Sequence, residues 1–198
     1  GSEMCIRDRL CHRSTRAHNT ILVNGMGQRI GTEGYGWIPR YYVGEKIGYL
    51  LGDASNAYGK VISPLWLERG KEGGIEYTPA NGWDKNHLKT FRRHTVALGK
   101  TGLVFIYDEL EADEPVTWDY LLHTVINPMN VTKKDKFVHI QATNKNGASD
   151  AYLFSSGTLK TDTLTFGVMT FVVIFIIAAL SFFPVHASVS YTHLRAHE

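Results

Sequence analysis

Short apolar runs closed by Gly, Asn and Asp turns fill residues 14–160, and this spacing constrains the fold more than any other feature of the chain. Thr20–Val23 ends at Asn24-Gly25, a dipeptide typical of tight hairpin turns. Thr95–Leu98 and Leu103–Tyr107 flank a second, Gly-bounded turn. No segment of this region keeps the apolar stripe of an amphipathic helix over about 11 residues. The sequence therefore predicts a mainly β fold, an antiparallel β-sandwich.

Further strands are predicted at Lys46–Leu51, at Val116–Val125, between Val131 and Ala142, and at Ala151–Phe154. Two stretches with many Gly and polar residues, Gly25–Tyr42 and residues 68–90, are predicted to be long ordered loops. The first contains an aromatic cluster of Tyr35, Trp37, Tyr41 and Tyr42. These rings suit stacking on sugars and suit packing beneath a loop equally well.

Charge and cysteine content exclude some classes of function. The net charge is +2 and Lys and Arg are spread among acidic residues, so no nucleic-acid partner is expected. Cys5 and Cys11 are the two cysteines, and one possible pair cannot form a disulfide framework. Their spacing fits no zinc finger, and they leave the redox compartment open.

A long uncharged segment near the C-terminus differs from the rest of the chain. No charged residue occurs from Thr163 to Val185, and this length is sufficient to span a bilayer core, which takes about 20 residues. Residues 163–187 are therefore a transmembrane anchor, an apolar helix or buried strand pair of the domain, or foreign sequence joined to it. A membrane partner is expected only in the first case.

Several segments resemble the heparinase II/III-like polysaccharide lyases. The run RSTRAHNTILVNG at Arg13–Gly25 resembles that family's AHNT signature, and Gly52–Tyr58 resembles its GDAS segment. The family order continues with Arg92-Arg93-His94, then Val104–Ala112, then Trp118–His123. The resemblance covers about residues 13–125 and fades beyond residue 160.

The resemblance implies a C-terminal β-sandwich that follows an N-terminal helical toroid. Such enzymes cleave uronic-acid polysaccharides by β-elimination: the uronate carboxylate is neutralised, a base removes the C5 proton, and an acid protonates the leaving O4. In the family these groups come largely from the helical domain and from a His-rich segment upstream of the AHNT signature. No catalytic residue is therefore carried over to this chain, and Tyr41, Tyr42, His94 and His123 receive no assigned role.

The resemblance implies one site residue, and the chemistry of neighbouring side chains adds two candidates. His18, the His of AHNT, matches a position that helps to bind zinc in some members, but its partner ligands would lie upstream. The resemblance therefore allows a zinc ion in a full-length parent, while none is expected in this chain alone. Arg16 and Asn19 are candidates for binding an acidic polysaccharide, with Arg13 as a further cation. Without the resemblance, His18 is a structural histidine, Asn19 caps local backbone, and Asp53 forms a turn.

Both termini resemble translated sequencing-adapter sequence: SEMCIRD near the start and VSYTHLRAHE at the end. The expected organisation is a lead at residues 1–12, the sandwich domain at 13–160, the apolar segment at 163–187 and a tail at 188–198. In this interpretation the lead and the tail carry no function.

Two functions follow from these features. The first is part of a secreted or periplasmic polysaccharide lyase whose helical domain is missing, with the sheet wall inactive by itself. The alternative is a non-catalytic carbohydrate-binding or structural β-sandwich tethered to a membrane. An unrelated hydrolase has no support, because the chain has no GxSxG and no HExxH motif.

Overall fold

The computed structural model describes residues 15–72, 88–124, 129–144, 147–166, 169–177 and 185–192. Two single-turn 3₁₀ helices lie at Thr15–Ala17 and Ser55–Ala57, and one α-helix, α1, spans Pro64–Glu72. The other elements are strands, in chain order β1 Ile21–Val23, β2 Trp37–Val43, β3 Ile47–Asp53, β4 Leu88–Leu98, β5 Leu103–Ala112, β6 Thr117–Thr124, β7 Asn130–Lys133, β8 Val138–Asn144, β9 Gly147–Ser155, β10 Thr158–Phe166, β11 Met169–Ile177 and β12 Val185–Thr192.

The strands form two antiparallel sheets. The smaller sheet has the order β1-β6-β11-β10, and the larger has the order β2-β3-β4-β5-β12-β9-β8-β7. Side chains alternate between the two faces of a strand, so one face of each sheet supplies the core. The predicted mainly β, antiparallel sandwich is confirmed.

The core lies between the sheets and is rich in aromatic residues. Trp118 and Tyr120 of β6 are both 2% exposed, and Phe91 of β4 is 3% exposed. Leu110 and Leu153 extend the core along the larger sheet. These residues alternate with polar ones along the sequence. This period of two is typical of strands, and it differs from the apolar stripe of an amphipathic helix.

The two predicted turns form as expected. Asn24 and Gly25 have φ of 51° and 73°, the left-handed pair that a type I′ hairpin turn requires. Val23 and Met26 close this turn with reciprocal backbone hydrogen bonds of 2.9 and 2.8 Å. Leu98 pairs with Leu103 across the β4–β5 turn, where Lys100 and Gly102 also have positive φ.

Both long-loop predictions are partly wrong. The Gly25–Tyr42 stretch contains most of β2, whose residues are all exposed. Pro39 is tolerated there because β2 is an edge strand and one of its sides needs no hydrogen-bond donors. The second stretch begins inside α1 and ends inside β4, and residues 73–87 between them lie outside the described residues.

Helix α1 was missed because it is too short for the periodicity criterion, with nine residues. Ser63 starts it, accepting backbone hydrogen bonds from Trp66 and Leu67 at 3.1 and 3.0 Å. Pro64 occupies the first helical position, where the missing N–H costs nothing.

The described parts of the apolar segment, residues 163–166, 169–177 and 185–187, form strands. Strand β11 lies between β6 and β10, and β10 pairs with it from Thr158↔Ile177 to Phe166↔Met169. Strand β12 lies between β5 and β9. Within the described part of the chain, no helix combines the length and the apolar character needed to cross a bilayer.

Candidate functional site

Asn19 lies just before β1 and is held from two directions. Its side-chain Oδ1 accepts a hydrogen bond from the backbone N–H of His123 at 2.8 Å and lies 3.0 Å from His123 Nδ1. Its backbone carbonyl accepts a hydrogen bond from Arg93 Nη1 at 2.9 Å. The start of β1 is thus joined to the end of β6 and to β4 at one residue.

This arrangement fixes which end of the Asn19 amide is available. A backbone N–H can only donate, so the atom facing His123 must be the oxygen. The Asn19 amide nitrogen has no hydrogen bond to any residue that the structure describes, and the residue is exposed. Asn19 therefore presents a fixed N–H donor to the surface.

Arg93, which binds the Asn19 carbonyl, is itself held by a buried carboxylate. Its Nε and Nη2 donate to the two oxygens of Asp108 at 2.7 and 2.6 Å, a bidentate pair. The Asp108 side chain is 1% exposed. The Arg93 guanidinium also lies over the rings of Phe91 and Tyr120, at 5.4 and 5.6 Å from their centroids. Burial by itself would lower the pKa of Arg93, but the hydrogen bonds and charge of Asp108 raise it, so Arg93 keeps its positive charge.

Tyr58 holds the other end of this region. Its buried hydroxyl donates to the carbonyl of Ile21 at 2.7 Å, which fixes the start of β1. Burial raises the pKa of Tyr58 above its usual range, so the phenol remains protonated as the donor.

Sequence reasoning named Arg93 and Asp108 only as parts of longer matched segments and missed their pairing. A signal was nonetheless present. Once Leu98 and Leu103 are taken as the ends of the β4–β5 turn, counting five residues back along each strand places Arg93 opposite Asp108, as observed.

His18 is exposed beside Asn19 and belongs to the turn that leads into β1. Its backbone N–H donates to the Thr15 carbonyl at 3.1 Å, and its own carbonyl accepts from the backbone N–H of Thr20 at 3.0 Å. No group of three or more His, Cys, Asp or Glu side chains suited to a metal ion occurs among the residues described. The described donors therefore do not compose a zinc site around His18.

The remaining residues that the sequence analysis singled out lie elsewhere in the fold or outside the described residues. Arg16 lies in the first 3₁₀ helix, shortly before Asn19 in the chain, while Arg13 and both cysteines lie outside the described residues. Tyr41 and Tyr42 are exposed on β2, and His94 alternates with Arg93 on β4, so the His94 side chain lies on the face of the sheet opposite to the one that supports Asn19.

Asp53 combines a turn role with an ion pair. Its Oδ1 accepts from the Ser55 backbone N–H at 3.0 Å, and its Oδ2 accepts from Arg92 Nε at 3.0 Å. Burial acts to raise the pKa of Asp53, but the hydrogen bonds from Ser55 and Arg92 outweigh it and the pKa lies below its ordinary value of 3.8.

We expect Asp53→Asn to change the acid stability of the fold. A carboxyl group whose pKa is lower in the folded state stabilises the fold above its unfolded pKa, and this contribution is lost as the pH falls through the folded pKa. The difference in free energy of unfolding between wild type and Asp53→Asn should therefore be largest near neutral pH and shrink below about pH 4. Urea unfolding between pH 7 and pH 3 measures it, and a difference that stays constant would contradict the assignment.

The fold is that of the heparinase-like β-sandwiches. The chain superposes on a heparan sulfate lyase HepC mutant from Pedobacter heparinus with a TM-score of 0.59 and 12% identity, covering 100% of this chain and 27% of that one. A crystal structure of heparinase III gives a TM-score of 0.60 at 12% identity, covering 100% of this chain and 26% of the lyase. The chain thus spans about a quarter of the length of these lyases, and the likeness concerns the fold.

One part of the chain has different relatives. The potassium-transporting ATPase A subunit family, KdpA, matches residues 145–190. The potassium-binding subunit of this ATPase from Bacteroides thetaiotaomicron is 91% identical over 33 residues, which are 17% of this chain and 6% of that protein. The same subunit from Phocaeicola vulgatus is 85% identical over 33 residues, again 17% and 6% of the two chains. The family match covers most of β9 to β12 and leaves the Asn19 site outside it.

Proposed function

We propose that the sandwich supplies the sheet wall of a polysaccharide lyase that cleaves uronic-acid polysaccharides by β-elimination. The observation that carries the proposal is the Asn19 amide, a fixed and exposed donor within the AHNT segment of a heparinase-like fold. Neutralising a uronate carboxylate requires hydrogen-bond donors or cations at fixed positions. The Asn19 amide meets that requirement, because its oxygen is bound by β6 while the backbone carbonyl of the same residue is bound by β4.

The proposal assigns separate tasks to the two parts of the parent enzyme. Asn19, with Arg16 beside it in sequence, binds the acidic glycan, and Arg93 positions Asn19 through its carbonyl. The base and the acid come from the rest of a longer protein. Any zinc ligands that act together with His18 also come from there. A secreted or periplasmic location accompanies this role, because such polymers occur outside the cytoplasm.

Exchanging Asn19 for Asp tests the proposal. In Asn19→Asp one carboxylate oxygen can still accept from His123, but the donor is replaced by a negative charge that faces an anionic sugar. We expect the affinity for a heparan sulfate hexasaccharide, measured by isothermal titration calorimetry on the full chain, to fall about tenfold, equivalent to about 1.4 kcal/mol. Asn130→Asp, at an exposed position of strand β7, is the matched control and should leave the affinity unchanged. Equal affinities for wild type and Asn19→Asp would refute the role of Asn19.

A second candidate function is a glycan-binding sandwich tethered to a membrane by residues 163–187. It is favoured by the match of residues 145–190 to a transporter family and by the uncharged run from Thr163 to Val185. In that arrangement β11 leaves its position between β6 and β10, so the smaller sheet loses a strand. Recovery of the full chain from lipid vesicles after an alkaline wash supports the tether, whereas complete release into the wash refutes it.

A further inference from the structure

The face of the larger sheet that points away from the core carries a row of ring side chains across four strands. Phe91 and Arg93 of β4 face the core, because Arg93 packs on Tyr120 of the smaller sheet. The alternate residue His94 therefore belongs to the opposite face, which we call the outer face. Strand register places Tyr107 of β5 directly opposite His94 and Tyr42 of β2 directly opposite Tyr49 of β3.

The rings in this row contact one another. The Tyr49 hydroxyl lies 2.9 Å from His94 Nδ1, and their ring centroids are 6.1 Å apart. His94 meets Tyr107 edge-on at 5.5 Å between centroids. With strands spaced about 4.8 Å apart, four strands give a platform about 14 Å long. This length suits a chain of several sugar rings rather than one small molecule.

An irregularity in β2 extends the platform to the sheet edge. Trp37 pairs with Asp53 and Arg40 pairs with Leu51, so β2 takes three steps where β3 takes two. Residues 37 and 40 would lie on opposite faces of a regular strand, but this bulge returns both to the outer face. Tyr42 follows on the same face, and Tyr35 adds a ring 5.7 Å from Trp37.

Gly44 leaves room for the Tyr42 ring. It is two residues after Tyr42 and so shares its face, and a Cβ added at Gly44 would lie 2.8 Å from the Tyr42 hydroxyl oxygen. The ring therefore lies over the glycine, and Tyr42 remains 61% exposed. A flat exposed aromatic side chain of this kind can stack on a sugar ring.

Arg40 supplies a cation for an acidic ligand on this face, which also carries Asp53, Glu109 and Glu111. Arg92 is balanced by Asp53 and Glu109, at 3.0 and 3.7 Å. Arg40 is exposed, and its side chain makes no hydrogen bond or ion pair with any described residue. Residues 34–44 include no Asp or Glu, so the segment that carries the β2 rings provides Arg40 with no acidic partner of its own.

We propose that the outer face of β2–β5 is a second glycan-binding surface, on which an acidic polysaccharide stacks along the ring row and places a carboxylate or sulfate on Arg40. The surface lies on the opposite side of the sheet from Arg93, which supports Asn19, and so is separate from the Asn19 site. This inference rests on the proposed function only in taking the same class of acidic glycan as the ligand.

Neighbouring tyrosines on opposite faces of one strand test this proposal. Tyr42 faces the platform, while Tyr41 opposes Leu50 on the other face and is 74% exposed. We expect Tyr42→Ala and Arg40→Ala each to weaken binding of a heparan sulfate hexasaccharide about fivefold. Tyr41→Ala should leave it within about twofold of wild type. Calorimetric titration of the full chain measures all three, with thermal unfolding as the check that each variant folds.

The outcomes separate this inference from the proposed function. If Tyr41→Ala and Tyr42→Ala have equal effects, or neither has one, the platform is refuted. If Asn19→Asp alone weakens binding, the proposed function stands and the second surface falls. If wild type does not bind the hexasaccharide, both fail. Neutral maltohexaose serves as the uncharged probe, and equally tight binding of it would overturn the role given to Arg40.

Discussion

Arg93→Ala should lower the free energy of unfolding by about 3 kcal/mol or more, because it leaves the buried Asp108 carboxylate without its partner. Asp108 is 0% exposed and receives both of its hydrogen bonds from Arg93 at 2.6 and 2.7 Å. The variant also loses the contact with the Asn19 carbonyl and the packing on Phe91 and Tyr120. Equilibrium urea unfolding measures the loss as a lower midpoint.

The adjacent residue provides the control. Arg92 also pairs with carboxylates, but its side chain is 46% exposed. Since exposed pairs contribute about 0–1 kcal/mol, Arg92→Ala should cost less than about 1 kcal/mol. Replacing Arg93 and Asp108 together by Met and Leu should restore much of the stability, because no charge is then left buried. Similar losses for Arg92→Ala and Arg93→Ala would contradict this account of the core.

Trp118→Ala should destabilise the fold by about 3–5 kcal/mol, the range for deleting a large buried aromatic side chain. Trp118 is 2% exposed, and its strand β6 connects β1 to β11 in the smaller sheet. The cavity left behind lies in the core between the two sheets. Urea unfolding gives the loss, and near-ultraviolet circular dichroism shows whether the remaining aromatic residues stay fixed.

Trp37→Ala is the matched control for this change. It removes the same ring from β2, where Trp37 is 46% exposed. A surface change of this kind typically stays within about 0.5 kcal/mol. A loss at position 37 as large as that at position 118 would mean that β2 is covered and that the outer face is not an open surface.

The elements that the sequence predicts well are those fixed by local chemistry. The Asn24-Gly25 turn is readable because both residues must adopt positive φ. The β4–β5 hairpin is readable because Gly99 and Gly102 bound a short turn between two apolar runs. These turns depend on a few neighbouring residues, so a short stretch of sequence is sufficient to predict them.

The features that sequence reasoning missed depend on pairing at a distance. Strand β2 contains Pro39 and a bulge, and both are compatible with a strand only because it lies at a sheet edge. The role of Asn19 as an anchored donor depends on His123, which is 104 residues away in the sequence. No local sequence pattern indicates such a contact. Asn19 could therefore be proposed as a binding residue from the sequence, but its hydrogen bonds could not be predicted.

The two sets of relatives explain why the C-terminal part was difficult to predict. The sandwich resembles the lyases in fold at 12% identity, whereas 33 residues of the chain are 91% identical to a potassium-binding subunit. The composition of the uncharged run from Thr163 to Val185 is compatible with buried strands and also with a membrane-spanning segment. Apolar composition alone cannot separate these environments, and pairing with β6 favours the strand here.

The central claim is that the AHNT end of this sandwich holds an acidic glycan. Backbone amide chemical shifts of the full chain, recorded during titration with a heparan sulfate hexasaccharide, test it most directly. The account predicts concentration-dependent shifts at His18, Asn19 and His123 that are lost in Asn19→Asp. Unchanged signals at these three residues, under conditions where the hexasaccharide binds elsewhere or not at all, would contradict it.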